Sequence, residues 1–204
     1  MQLSDVQRDA LVELLNIGFG RAGASLSKLT GHRVLLEVPH VAIRPLDQLN
    51  ATLAELVKDE VASVHQVFSG PVAGDALLML DPAAAASLKE LLTDEPALPL
   101  ALDASGREVL TEVGNVLLNA CIGTVGNLLK VPVAFSVPEI DVANLHLVLQ
   151  RLTLTGDALR YALVITSGFR LRESEVTGYV VIILTVQSLT RLLIALESWE
   201  KSQG

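Results

Sequence analysis

The chain has 204 residues, half of them hydrophobic, with 23 acidic side chains against 15 basic ones and a formal charge of −8. That balance, with a pI near 4.9, excludes a nucleic-acid or anionic-lipid surface as the main partner, because phosphate groups would be repelled. One cysteine, Cys121, excludes an internal disulfide and a multi-cysteine zinc site, and His32, His40, His65 and His146 form no i, i+4 pair, so no metal of the chain's own is expected.

The start, Met1-Gln2-Leu3-Ser4-Asp5, lacks the basic and apolar regions of a signal peptide. A long helical pattern begins near Asp5. It is followed by a Val/Leu-rich strand over 33–38, a connecting segment, and a strand, turn and strand that end in the stretch from Val67 through Gly74 to Leu80. A helix over 82–92 opens on Pro82, where a first turn tolerates proline. Two prolines within 94–100 mark a linker. A second long helix then begins near Ala104, and the chain closes with a strand over 179–184 and a helix over 186–200. The 179–184 run is the best apolar one and is strand-sized, short of the roughly 20 residues a membrane span needs. A cytoplasmic protein without membrane insertion is therefore expected.

The chain is written twice. Asp9-Ala-Leu-Val-Glu13-Leu-Leu-Asn16 and Glu108-Val-Leu-Thr-Glu112-Val-Gly-Asn115 both read acid-x-x-x-Glu-x-x-Asn, and each Asn is followed after 22 residues by a proline, Pro39 or Pro138. The register between the copies is 99 residues up to the prolines and 104 at Gly74 and Gly178, so the second copy carries an insertion of five. The expected architecture is α+β: one domain over 1–204 made of pseudo-symmetric halves, 5–93 and 104–201. The halves share an antiparallel sheet system with the two related long helices side by side on one face.

At about 100° per residue, Glu13, Asn16 and Gly20 all lie within about 40° of Asp9, while Leu11, Leu14, Leu15, Ala22, Ser25, Leu26 and Leu29 fall on the opposite side. The second helix repeats this, with Glu108, Glu112, Asn115 and Asn119 opposed to Leu110, Val113, Leu117, Cys121 and Leu128. Any amphipathic helix has a solvated face with some acids and amides. Such a face does not explain why Asn, a poor residue in mid-helix, holds the same registered position twice. A carboxylate can pair with a cation on a partner, and a carboxamide one turn away both donates and accepts hydrogen bonds. It can therefore hold a water for in-line attack on a phosphoryl group, as glutamine does in small GTPases. Neither residue is a nucleophile or a metal site, so the electrophile must come from the partner.

These residues resemble the CheC/CheX/FliY phosphatases of bacterial chemotaxis. The twice-present acid-x-x-x-Glu-x-x-Asn with its distant proline carries the likeness, together with Leu14-Leu-Asn-Ile-Gly18-Phe-Gly-Arg-Ala-Gly and Gly114-Asn115-Val-Leu-Leu-Asn119. Two pairs in one chain resemble CheC more than the dimeric CheX. The resemblance implies that Glu13/Asn16 and Glu112/Asn115 are catalytic pairs. In each, the Glu would grip a lysine of a phosphorylated CheY-like regulator and the Asn would position the attacking water. Asp9, Glu108, Gly20 and Asn119 would contact that regulator, which supplies the Mg²⁺. The resemblance also implies the deamidase CheD as a possible partner. Glu108 departs from the family's usual Asp or Ser at its position.

Two rival readings exist. Gly18-Phe-Gly20-Arg-Ala-Gly23 is a literal G-x-G-x-x-G, but it follows a helical pattern rather than a buried strand, and its counterparts in the second copy are Leu117, Asn119 and Ile122. A non-catalytic binding module of the same fold, akin to the FliM middle domain, would not need either Glu/Asn pair.

Overall fold

A computed structural model of the chain describes residues 3–55, 57, 60–93, 103–153, 160–171 and 174–202; the linker expected at 94–100 lies outside them. The first half contains α1 (Asp5–Thr30), β1 (Val34–Pro45), α2 (Leu46–Ala54), β2 (Glu60–Ser69), β3 (Gly74–Leu80) and α3 (Pro82–Thr93). The second contains α4 (Ala104–Leu128), β4 (Ala134–Phe135), β5 (Glu139–Asn144), α5 (Leu145–Thr153), β6 (Arg160–Leu171), β7 (Ser174–Thr185) and α6 (Val186–Lys201).

Local chemistry sets the ends of the long helices. Ser4 and Gln7 form a reciprocal capping box at the start of α1, and Gly31, in the left-handed region at φ 71°, ends it. Asp103 caps α4 by accepting the Gly106 N–H at 2.7 Å. Lys89 of α3, itself buried, donates to the same carboxylate at 3.1 Å.

All pairings in the sheet are antiparallel, in the order β1-β6-β7-β3-β2-β4, with β5 also on β2. Exchanging the halves swaps β1 with β4/β5, β2 with β6 and β3 with β7, which returns the same order. The register obeys the same exchange. Leu77 pairs with Val181, and these two are each other's counterparts at an offset of 104, so the pseudo-twofold passes between them. Val41 pairs with Ile165, as Ile140 pairs with Val64. These pairs give offsets of 99 for Val41/Ile140, 101 for Val64/Ile165 and 104 for Leu77/Val181. The five-residue insertion is thus split, two residues entering before β6 and three within the β6–β7 hairpin.

The sheet is covered on both faces. Ala76, Leu78 and Leu80 of β3 and Val180, Ile182 and Leu184 of β7 face one core with α1, α3, α4 and α6. Leu77, Met79, Val181 and Ile183 face a second core with α2 and α5. Double coverage is why these strands read as unbroken apolar runs. The short helices α2 and α5 were expected only as connecting segments. Their apolar residues, Leu46, Leu49 and Leu53 in one and Leu145, Val148, Leu149 and Leu152 in the other, carry helical spacing.

The related helices α1 and α4 lie side by side on the first face, as expected. Their backbones approach at Gly18, where a Cβ would sit 3.0 Å from the Cys121 Cα; only glycine leaves that room. The core stripe of α1 stops at Leu26. Beyond it the helix end is tied to β1, the Ser27 hydroxyl accepting the Val34 N–H at 2.9 Å, and Ser25 and Leu29 are left exposed rather than buried. By length and composition α4 could cross a membrane, which no run in the sequence suggested; half of its most apolar window is buried in the fold. That burial, against α1 and β2, accounts for its apolar character.

Candidate functional site

The first pair sits in the middle of α1. Glu13 and Asn16 are exposed, one turn apart, and neither makes a hydrogen bond or ion pair with any described residue. Asp9 and Gly20 extend the same exposed face by a turn on either side. Nothing lies within 4 Å of a Cβ built on Gly20, so the surface there is open. Asp9 and Glu13 also border a groove of about 250 Å³ against α6, walled by Val6, Trp199 and Glu200. Sequence reasoning missed that wall because nothing within α6 indicates where it docks; the Gln7 amide bonded to Glu197 at 2.8 Å shows the contact.

The second pair is built differently. Glu112 and Glu108 are exposed on α4, whereas Asn115 and Asn119 are half-buried. The cause is close packing of α4 on β2. A Cβ at Gly114 would fall 2.6 Å from a Val64 methyl, so the glycine lets the helix settle onto the strand. Gln66, 1% exposed, projects from the same strand face toward Asn115. The Gln66 Nε2 donates to the Ser136 carbonyl at 2.8 Å and to Asn115 Oδ1 at 3.3 Å, and Asn119 Nδ2 donates to the same Oδ1 at 2.7 Å. Gln66 Oε1 and Asn119 Oδ1 are buried without a partner among the described residues.

The notional dinucleotide loop Gly18–Gly23 is interior helix in α1, with no strand before it among the described residues. The histidines serve elsewhere: His65 pairs with Asp75 at 3.0 Å and His146 with Asn50 at 3.2 Å. Among the described residues no group of three His, Cys, Asp or Glu side chains is placed to hold a metal. Burial pushes the Cys121 thiol up to about 12.

No protein-family model matches the chain. Its structure aligns with that of Thermotoga maritima FliY over 98% of this chain and all of that one, with a TM-score of 0.78 at 17% identity. It aligns with a chain of the Helicobacter pylori FliM–SpeE complex over 98% of each, with a TM-score of 0.68 at 11% identity. The H. pylori FliM middle domain aligns over 95% of this chain and 99% of that one, with a TM-score of 0.60 at 13% identity. The chain has the FliY/FliM fold. The likeness read from the two Glu/Asn motifs thus extends to the whole architecture, sheet and helices together. At these identities the likeness shows the fold alone.

Proposed function

We propose that the protein is a phosphatase of CheY-like response regulators in bacterial chemotaxis, hydrolysing the regulator's aspartyl phosphate. The observation that carries this reading is Glu13 with Asn16: an acid and an amide on one open face, mid-helix, with no partner among the described residues. Side chains at i and i+3 lie about 5–6 Å apart at Cβ, close enough to meet one docked surface together.

In this reading the regulator brings the phosphoaspartate, its Mg²⁺ and a lysine, and Glu13 pairs with that lysine. Asn16 accepts a hydrogen bond from a water and holds its oxygen in line with the phosphorus. The water oxygen bonds to phosphorus as the bond to the aspartate oxygen breaks, and the proton lost by the water ends on phosphate or solvent. The leaving carboxylate has a pKa of about 4, so it departs without a general acid. A positioned amide is then sufficient chemistry for this chain to supply.

Purified protein added to a phosphorylated CheY-like regulator should accelerate loss of the aspartyl phosphate. The double variant Asn16→Ala/Asn115→Ala should restore the regulator's intrinsic rate while staying folded, at a cost of about 1–3 kcal/mol for the hydrogen bonds that Asn115 Oδ1 accepts. Glu13→Ala and Glu112→Ala should weaken docking as well as turnover. A double Asn variant as fast as wild type sinks the Glu/Asn mechanism.

A second reading, a non-catalytic binding module, draws on the FliM-like fold and on the engaged oxygen of Asn115. It gives regulator binding with no acceleration in the same assay.

A further inference from the structure

The geometry points to an unequal division of labour. We infer that Asn16 orients the attacking water, whereas Asn115, locked by Gln66 and Asn119 with its oxygen turned inward, offers only N–H donors to the docked regulator. The inference rests on the phosphatase reading.

A backbone atom fixes the orientation of every amide in the lock. The Ser136 carbonyl can only accept, so the Gln66 atom 2.8 Å from it must be the NH₂ nitrogen. That nitrogen also faces the inward atom of Asn115, which must therefore be its oxygen. The Asn119 atom 2.7 Å from that oxygen must then be nitrogen. Turning Asn115 over would set donor against donor at Gln66, whose orientation the backbone carbonyl fixes. Ser136 is itself held by reciprocal bonds to Val67, its N–H donating to the Val67 carbonyl at 2.9 Å and its hydroxyl accepting the Val67 N–H at 3.0 Å. The lock is thus anchored to the sheet rather than to the helix surface.

A carbonyl oxygen has two lone pairs, and both of those on Asn115 are used. It cannot also accept a hydrogen from a catalytic water. Its Nδ2 remains, with two N–H groups able to meet an anionic or carbonyl oxygen on the partner. The first half has no such lock, because the counterpart of Asn119 is Gly20, which has no side chain. Asn16 keeps both ends of its amide. Gln66 and Asn119 are accordingly positioning residues, acting through Asn115.

Steady-state kinetics with a phosphorylated regulator separates the roles. Losing a preorganised group at the reacting centre costs about a hundredfold or more in rate, so Asn16→Ala should lower kcat by that order. Losing one partner-facing hydrogen bond is worth about tenfold in affinity, so Asn115→Ala should chiefly raise KM, with a smaller loss in kcat. Gly20→Asn gives the first site the Asn119 arm of the lock, one of its two donors, where the added side chain has open space. It should lower kcat with KM little changed and melting equal to or above wild type. Within Asn16→Ala, adding Asn119→Ala should raise the residual kcat by releasing the Asn115 oxygen, a gain that a merely structural role would not produce. Equal kcat losses for Asn16→Ala and Asn115→Ala, or no rise in residual kcat when Asn119→Ala is added to Asn16→Ala, would overturn the division while leaving the phosphatase reading standing. A wild type that fails to accelerate any phosphorylated regulator sinks both.

Discussion

Cys121 lies where α1 crosses α4, with Gly18 against its backbone and no exposed surface. Its thiol, raised by burial from 9.0 to about 12, stays protonated in the folded protein while the unfolded chain releases that proton near pH 9. Above pH 9 the unfolded state is therefore favoured progressively, until the folded thiol ionises as well. The stability advantage of wild type over Cys121→Ala in urea melts should shrink by about 1.4 kcal/mol per pH unit above pH 9, and a thiol reagent should leave the native protein unlabelled at neutral pH. An advantage independent of pH would show that the thiol is not buried. The sequence marks Cys121 as a small apolar helix residue, which the structure bears out. Gln66 was less legible. Alternation along β2 places it with Val64 and Phe68 on the α4 face, so a buried amide could be read from the strand alone. Its partner could not, because Asn115 is 49 positions away and only the folded sheet brings them together.

Elements differ in how much of their packing they declare. The long helices announce their faces through 3.6-residue spacing, and most of that reading matches the structure. Ser25 and Leu29 depart from it because the last turn of α1 answers to β1 instead of α4, a change of neighbour that periodicity cannot register. Glycines mark the remaining contacts, and the same residue type has opposite meanings on opposite faces. Gly114 is pressed onto Val64, so Gly114→Ala should cost about 1–3 kcal/mol through overpacking. Gly20 faces open space, so Gly20→Ala should gain up to about 1 kcal/mol from helix propensity. Thermal melts of the two variants should move in opposite directions. A shift in the same direction would mean that α4 does not sit on β2 as described, and would remove the physical reason for Asn115 being half-buried.

At the scale of the whole molecule, the repeated motif and the palindromic sheet are one fact seen twice. The 99-residue register of the helices was legible because a duplicated chain keeps its polar landmarks. The strand exchange between halves was not, since pairing is set by which edges meet and not by any local pattern. β1 of the first half completes its ladder on β6 of the second, while β4 and β5 of the second half lie on β2 of the first. At the centre β3 joins β7, and α1 packs on α4 across the same boundary. Each half alone would keep only its internal hairpin, β2–β3 or β6–β7, and would leave the inner faces of both cores in water. An isolated hairpin is marginal at best without a packed face. A chain divided between Thr93 and Asp103 should therefore yield two fragments that are largely unfolded apart, by far-UV circular dichroism and amide exchange. Mixed in equal amounts, they should assemble one-to-one and regain the native spectrum, because every contact broken by the cut is non-covalent. The assembled pair should melt at a temperature that rises with concentration, as association now enters the folding equilibrium. A first-half fragment that folds and melts cooperatively by itself would show that the halves are independent units, and the shared sheet would then be a docking contact rather than the core of one fold.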